Sequence, residues 1–133
     1  MTRASIVAAA RAAVGSRFRL HGRNPALGLD CVGLVAVALG GRNVPADYAL
    51  RSGDTMRAEA ALREAGLRPV NLADAGDVLL LRAGPGQLHL AIRSETGIIH
   101  ADAVLRRVVE RPGAVPFALV SAWRFPGREE GEG

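Results

Sequence analysis

An α+β fold with an antiparallel sheet is predicted by the order of patterns along this chain of 133 residues. Helical patterns fill the first half, and short apolar runs separated by Gly- and Pro-containing turns fill the second half. Consecutive strands joined by short turns form antiparallel hairpins, and apolar helices cover one face of such a sheet. We therefore expect N-terminal helices packed on a central antiparallel β-sheet of about five strands.

Three segments of the first half show helical patterns, and each is followed by a glycine that can end a helix. Asp54 or Thr55 is predicted as the N-cap of the third segment. The intervening segments are rich in Gly, Pro, Asn and Arg and are predicted as loops. The predicted helices cover about 3–14, about 31–39 and about 56–65, and the predicted loops cover 16–28 and 42–53.

Five apolar runs in the second half are typical of strands, because turn residues bound each of them. No linker or repeat divides the chain, so 1–126 is predicted as a single domain. The remaining residues, 127–133, are polar and Gly-rich and are predicted to be a disordered tail. The predicted strands cover 77–83, 87–94, 97–103, 105–111 and 117–125.

Composition excludes several classes of function. The net charge is +4, and the 17 basic residues, all Arg, are scattered without interleaved aromatic residues, so nucleic-acid binding is not supported. The longest apolar run is far shorter than a membrane span. Arg11 interrupts the N-terminal apolar run too early for a standard export signal, so synthesis in the cytoplasm without a signal peptide is expected.

The single cysteine, Cys31, lies where a turn leads into the second predicted helix. Unpaired N–H groups and a partial positive charge at a helix start stabilise a thiolate, so we expect a lowered pKa for this thiol. Gly28 and Gly33, on either side, are expected to let a bulky substrate approach the backbone. The alternative is that Cys31 is a small apolar core residue, as most free cysteines are.

Two of the three histidines, His89 and His100, lie on predicted strands joined by the turn Ser-Glu-Thr-Gly. A four-residue turn pairs Ile92 with Ile99 and places both histidines on one face, a diagonal step apart. This face is predicted to be polar and the opposite face apolar. A turn one residue longer or shorter would move His100 to the other face.

These residues together can form a nucleophile, a base and an orienting group. In this scheme Cys31 attacks a carbonyl carbon, His89 takes the thiol proton and later gives it to the leaving amine, and His100 orients His89. The Cys31 backbone N–H would stabilise the oxyanion. Asp102 is the alternative orienting group if the turn register differs. A zinc site formed by the cysteine and both histidines is a further alternative.

Four motifs resemble those of the NlpC-type cell-wall cysteine peptidases, in the order that this family shows. The family's helix-opening motif is Asp-Cys-Ser-Gly-Leu-Val, and its later motifs are Gly-Asp-Leu/Val, His-Val-Ala/Gly-Ile and Ile-His-Ala. The resemblance extends over about 8–125. The matching residues are 30–35, 76–78, 89–92 and 99–101.

The resemblance implies a papain-like NlpC-type fold and hydrolysis of peptide bonds in the stem peptides of peptidoglycan, without a cofactor or metal. It implies a catalytic triad of Cys31, His89 and His100.

The resemblance also implies three substrate-binding positions, Asp30, Phe18 and Val32. Two of them depart from the family pattern. Val32 replaces the motif serine, which in relatives helps to hold the amino end of the substrate. Phe18 replaces a common tyrosine, whose hydroxyl could assist near the oxyanion. These departures imply a changed substrate preference with an intact triad.

Within the family, the opening AAR…RFR.HGR pattern and the closing AWRFPG are most similar to phage-tail and gene-transfer-agent members. This similarity implies association with a phage-like tail or virion, tail or hub proteins as partners, and action at the cell wall. A structural tail-tip or hub component that keeps the fold but has little activity is the alternative.

Overall fold

Helices precede the sheet along the chain, as predicted. The structure is a computed structural model that describes residues 1–127, so the tail predicted at 127–133 lies, beyond Gly127, outside the described residues. The helices are α1 (Arg3–Ala12), α2 (Cys31–Ala38), α3 (Asp47–Ser52) and α4 (Thr55–Glu64). The strands are β1 (Arg23–Asn24), β2 (Gly28–Leu29), β3 (Arg68–Val70), β4 (Val78–Gly84), β5 (Gln87–Arg93), β6 (Gly97–Asp102), β7 (Arg107–Pro112) and β8 (Ala118–Arg124).

The main sheet has the strand order β3-β8-β4-β5-β6-β7, and all of its neighbouring strands are antiparallel. β4 to β7 form consecutive hairpins, whereas β8 returns across the sheet to pair with β4. The five predicted strands are confirmed within two residues of their predicted bounds. The sixth strand, β3, was not predicted, since it has three residues and includes Pro69, which is tolerated only at such an edge.

Two predicted loops contain regular structure. The loop predicted at 42–53 contains α3, whose six residues are too few to show a helical pattern in the sequence. Gly53 ends α3 in the left-handed conformation, at φ 73°. The loop predicted at 16–28 contains β1 and part of β2, which form a small antiparallel ribbon.

The main core lies between the helices and one face of the sheet. α2 is apolar around its whole circumference because it packs on β5 and β6 on one side and on α1 on another. Leu34 and Val35 of α2 are fully buried with Leu90 and Ile92 of β5. Within residues 1–127, no helix has the length and apolar character needed to cross a bilayer.

The opposite face of the sheet carries a second, smaller apolar cluster. Leu79, Leu81, Ala91 and Ile98 are buried in it, and Phe117 packs against it. The prediction that this face of the β5–β6 hairpin is polar is therefore wrong. Val70, Ala73, Val115 and Phe117 pack against this face, and their long-range approach to it has no local sequence pattern.

Capping and one buried ion pair fix the ends of the elements. Asp54, and not Thr55, caps α4 by accepting a hydrogen bond from the Arg57 N–H at 3.0 Å. Asp77 is fully buried before β4 and accepts two hydrogen bonds of 2.8 Å from Arg124 of β8. A buried carboxylate needs such a partner, and this pair holds the two strands in register.

Candidate active site

The start of α2 positions the thiol. Asp30 is the N-cap, and its carboxylate accepts hydrogen bonds from the Gly33 N–H at 2.8 Å and from the His21 N–H at 2.7 Å. Cys31 is therefore the first residue of the helix and is half-buried in the wall of a cleft. The helix N-terminus directs its free N–H groups toward this region.

Three glycines bring the ribbon loop against α2. A Cβ atom on Gly33 would collide with the carbonyl oxygen of Gly22, and one on Gly22 would collide with the carbonyl oxygen of Gly28. Gly28 also has φ 134°, a backbone conformation that favours glycine. The expectation that Gly28 and Gly33 make room for a substrate is wrong, because the protein's own backbone fills that space.

The β5–β6 hairpin brings the two histidines together. Ile92 pairs with Ile99, so the predicted register is confirmed. His89 Nε2 lies 2.9 Å from His100 Nδ1, and the two rings are nearly perpendicular, at 82°. The prediction that both imidazoles share one face is also confirmed. The ring of Phe117 meets both imidazoles edge-on, with centroids 5.6 and 6.1 Å away.

Asp102 continues this row of side chains beyond His100. Its Oδ2 atom lies 3.9 Å from His100 Nε2. The sequence offered Asp102 as an alternative to His100 as the orienting group. In the structure His100 contacts His89 directly, and Asp102 contacts His100 from the far side.

A cleft of about 650 Å³ contains the residues predicted for catalysis and for substrate binding. The catalytic set Cys31, His89 and His100 and the substrate-binding set Phe18, Asp30 and Val32 all line it. Val32 contributes little surface, since it is 2% exposed. Further residues that line it, not singled out from the sequence, include Leu20, Asp47, Arg51, Gln87, Arg111 and Phe117.

Phe117 and Asp47 could not be found from the sequence for different reasons. Phe117 reaches the histidines because β8 pairs with β4, which pairs with β5, and this long-range order has no local signal. Asp47 begins the short helix α3, which was predicted as loop.

Burial raises the pKa of the Cys31 thiol to about 12. The carboxylates of Asp30 and Asp47 raise it further, while the backbone N–H groups of Leu90 and Val32 lower it. The expected lowering of this pKa is therefore wrong for the resting protein, because desolvation of the thiolate outweighs the helix N-terminus. At neutral pH the sulfur carries its proton.

Burial also lowers the pKa of His89, to about 4, and the neighbouring His100 lowers it too, against an opposing effect of Asp102. His89 is therefore a neutral imidazole at neutral pH. Its Nε2 atom faces His100, so Nδ1 is the nitrogen left for a reaction partner. The backbone N–H of Leu90, the residue after His89, lowers the pKa of the Cys31 thiol, so the thiol lies near β5.

A network of charges forms another wall of the cleft. Arg23 donates hydrogen bonds to Asp30 at 3.0 Å and to both oxygens of Asp47 at 3.1 and 2.9 Å. His21 Nδ1 lies 3.4 Å from Asp47. Within residues 1–127, His21, Asp30 and Asp47 are the only group whose ligand atoms approach closely enough to share a metal ion. The Arg23 guanidinium already provides a positive charge to both carboxylates there.

The zinc alternative predicted for Cys31, His89 and His100 has a different geometry. The nitrogens that face each other, Nε2 of His89 and Nδ1 of His100, are hydrogen-bonded to one another. A shared ion would have to replace that bond. Among the described residues, these three side chains are not a group whose ligand atoms approach closely enough to share an ion.

Two solved structures have an architecture similar to that of this chain. The NlpC/p60 domain of the peptidoglycan hydrolase SagA is 31% identical, with a TM-score of 0.61 over 92% of this chain and 97% of that chain. The P60 domain of an antigen from M. avium subspecies paratuberculosis is 18% identical, with a TM-score of 0.61 over 95% of this chain and 96% of that chain. No family model matches the sequence, and no curated protein matches it.

The α+β architecture, with helices on one antiparallel sheet, is that of the papain-like domains. The chain belongs to the NlpC/p60 family. The predicted fold class is thereby confirmed, and so is the family resemblance of the four motifs.

Proposed function

We propose that this protein is a cysteine peptidase that hydrolyses peptide bonds in the stem peptides of peptidoglycan. The observation that carries the proposal is the cleft, which is lined by Cys31 and by the hydrogen-bonded pair His89 and His100. The family relationship to a peptidoglycan hydrolase domain supplies the substrate class. Stem peptides carry amide bonds, which a thiol nucleophile and an imidazole base can cleave.

The reaction begins from two neutral groups. As the Cys31 sulfur attacks the carbonyl carbon, its proton passes to Nδ1 of His89, and the carbonyl oxygen becomes an oxyanion. The Cys31 backbone N–H, at the start of α2, is the donor for that oxygen. His89 then gives its proton to the leaving amine, and the carbon–nitrogen bond breaks to leave a thioester.

Hydrolysis of the thioester completes the cycle. His89 removes a proton from a water molecule, whose oxygen attacks the thioester carbon, and the proton returns to the sulfur as the carbon–sulfur bond breaks. The products are a carboxylic acid and the original thiol. His100 keeps the His89 ring in place through both steps.

The substrate-binding positions support an altered preference. Asp30 accepts hydrogen bonds from the Gly33 and His21 N–H groups and from Arg23, so its carboxylate shapes the cleft rather than standing free. Val32 offers a buried apolar side chain where the family motif has a hydroxyl. We propose that neighbouring side chains, and not this position, hold the amino end of the substrate.

Delivery on a phage-like tail is proposed on the resemblance of the opening and closing segments alone. The alternative, a structural tail component with little activity, needs no polar row in the cleft. The hydrogen bond between His89 and His100, in the cleft that Cys31 also lines, favours the hydrolase.

Mass spectrometry of muropeptides incubated with the protein tests the proposal. The Cys31→Ala variant is expected to lower the rate of fragment release by at least about 10³-fold, because no other group can form the thioester. Met56→Ala is the matched control, since Met56 also carries sulfur but is 81% exposed. The fragment masses identify the cleaved bond.

Two outcomes would contradict the proposal. Equal fragment release by the wild type and Cys31→Ala would exclude the thiol as the nucleophile. A correctly folded wild type that releases nothing from any muropeptide would favour the structural component.

A further inference from the structure

One buried nitrogen at the site lacks a hydrogen bond. Among the described residues, His100 Nε2 is the only buried side-chain nitrogen or oxygen without a hydrogen-bond partner. His100 is 2% exposed, so water does not satisfy this atom at the surface. Buried polar atoms in proteins nearly always have a hydrogen-bond partner. Any interaction that stabilises a proton on Nε2 must therefore come from the group that faces it.

The group that faces it is the carboxylate of Asp102. Its Oδ1 atom accepts the backbone N–H groups of Val104 at 2.8 Å and Leu105 at 3.0 Å, in the turn after β6. Its Oδ2 atom is directed to His100 Nε2, 3.9 Å away. The turn thus holds one oxygen in place and leaves the other to the histidine.

Asp102 is ionised at neutral pH. The backbone N–H of Leu105 has the largest effect and lowers the pKa of this carboxyl. The backbone N–H of Val104 lowers it as well. An ionised carboxylate only accepts hydrogen bonds, so the nitrogen that faces it must be the protonated one.

We propose that Asp102 is a positioning residue that sets the tautomers of both histidines and thereby leaves His89 Nδ1 unprotonated toward Cys31. This inference rests on the proposed function, in which Nδ1 takes the thiol proton. It extends the row Cys31, His89, His100 by a fourth member. Asp102 acts through His100 and does not touch the reacting atoms.

The tautomer of His100 determines that of His89, because one hydrogen bond joins the two rings. His100 carries its proton on Nε2, toward the Asp102 carboxylate, so its Nδ1 is an acceptor. The 2.9 Å hydrogen bond then requires His89 Nε2 to be the donor. A neutral imidazole has one N–H, so His89 Nδ1 carries a lone pair. With the opposite arrangement Nδ1 would carry a proton and could not act as the base.

His100 serves this role as a neutral ring. Burial lowers the pKa of His100, and the nearby Arg111 lowers it as well, against the opposing effect of Asp102. The Asp102 carboxylate therefore selects a tautomer of the neutral His100 ring and does not hold that ring in its charged form. This distinguishes Asp102 from a simple ion-pair partner.

Asp102→Asn reverses this arrangement with little change in shape. The amide oxygen of the asparagine still accepts the Val104 and Leu105 N–H groups, while its NH₂ group faces His100 Nε2 as a donor. His100 must then carry its proton on Nδ1, and His89 on its own Nδ1. Asp54→Asn is the matched control, because Asp54 also accepts a backbone N–H through one oxygen and lies at the start of α4.

The primary measurement is the ¹⁵N spectrum of the ring nitrogens, recorded without substrate. We expect Nε2–H for both histidines in the wild type and in Asp54→Asn, and Nδ1–H for both in Asp102→Asn. Assayed on muropeptides, Asp102→Asn should lower kcat by about 10²–10⁴-fold with KM within about twofold, because a wrong tautomer removes the base without changing binding.

The spectra decide the inference separately from the proposed function. If the wild type shows His100 protonated on Nδ1, or if Asp102→Asn leaves both tautomers unchanged, the inference is overturned whatever the activity. A wild type with the expected tautomers and no hydrolysis would contradict the proposed function alone. Unchanged kcat in Asp102→Asn with reversed tautomers would remove Asp102 from the mechanism.

Discussion

The thiol of Cys31 is subject to two opposing effects, and their relative size determines the resting state of the site. The start of α2 and the Leu90 N–H favour a thiolate, whereas burial, which is the largest effect, and the adjacent carboxylates disfavour it and raise the pKa to about 12. The pKa of His89 is lowered to about 4. A thiolate–imidazolium pair is therefore not formed in advance, and in the proposed reaction proton transfer accompanies the attack.

The pH dependence of alkylation is expected to report this neutral resting state. Reaction of Cys31 with iodoacetamide should keep increasing through pH 10, because the thiolate fraction grows until the pH passes the pKa of about 12. A peptide with a free cysteine, whose pKa is about 8.5, should level off about one pH unit above that value. A plateau for the protein by pH 7 would show a preformed thiolate instead.

At the scale of elements, the ribbon loop and α2 behave as one unit. Gly22, Gly28 and Gly33 let the loop backbone lie directly on the first turn of α2. The same loop presents the His21 N–H and Arg23 to the N-cap Asp30. The position of the thiol thus depends on the packing of the ribbon loop backbone on the start of α2.

Gly33→Ala is expected to lower the free energy of unfolding by about 3 kcal/mol or more, because the added methyl group would collide with the Gly22 backbone. Gly84→Ala is the matched control. A Cβ on Gly84 would meet only the Gln87 side chain, at 3.8 Å, so a change within about 1 kcal/mol is expected. Urea unfolding of both variants is the measurement, and equal effects would contradict close packing of the loop on α2.

At the scale of the whole molecule, the sequence predicted what short-range patterns determine. The Ser-Glu-Thr-Gly turn determines the β5–β6 register, so the contact of His89 with His100 could be predicted. The turn that leads into the apolar run at Cys31 likewise predicted the start of α2.

Other features depend on long-range pairing or on burial, which local patterns do not contain. Phe117 lies beside the histidines only because β8 pairs with β4. The pKa of Cys31 depends on how deeply the thiol is buried and on Asp47, a residue of another helix. Sequence patterns therefore indicated the candidate groups of the site but not their protonation states.

The burial of neutral His89 couples the site to the stability of the whole chain. The unfolded chain binds a proton at this imidazole below pH about 6.5, whereas the folded protein binds it only near pH 4. Between these values the unfolded state carries more protons, so the free energy of unfolding falls as the pH is lowered. Over the whole pH range between these two pKa values, the free energy of unfolding falls by about 3 kcal/mol because of this group.

Replacing His89 with Gln is expected to remove that contribution, since glutamine does not titrate. Urea unfolding of the wild type and His89→Gln at pH 7 and pH 4 measures it, and the carboxylates that titrate in both proteins cancel in the difference. The wild type should lose about 3 kcal/mol more than the variant on going to pH 4. An equal loss of unfolding free energy in both proteins would mean that His89 titrates as it does in the unfolded chain. Burial would then not explain the neutral His89 that the proposed reaction requires.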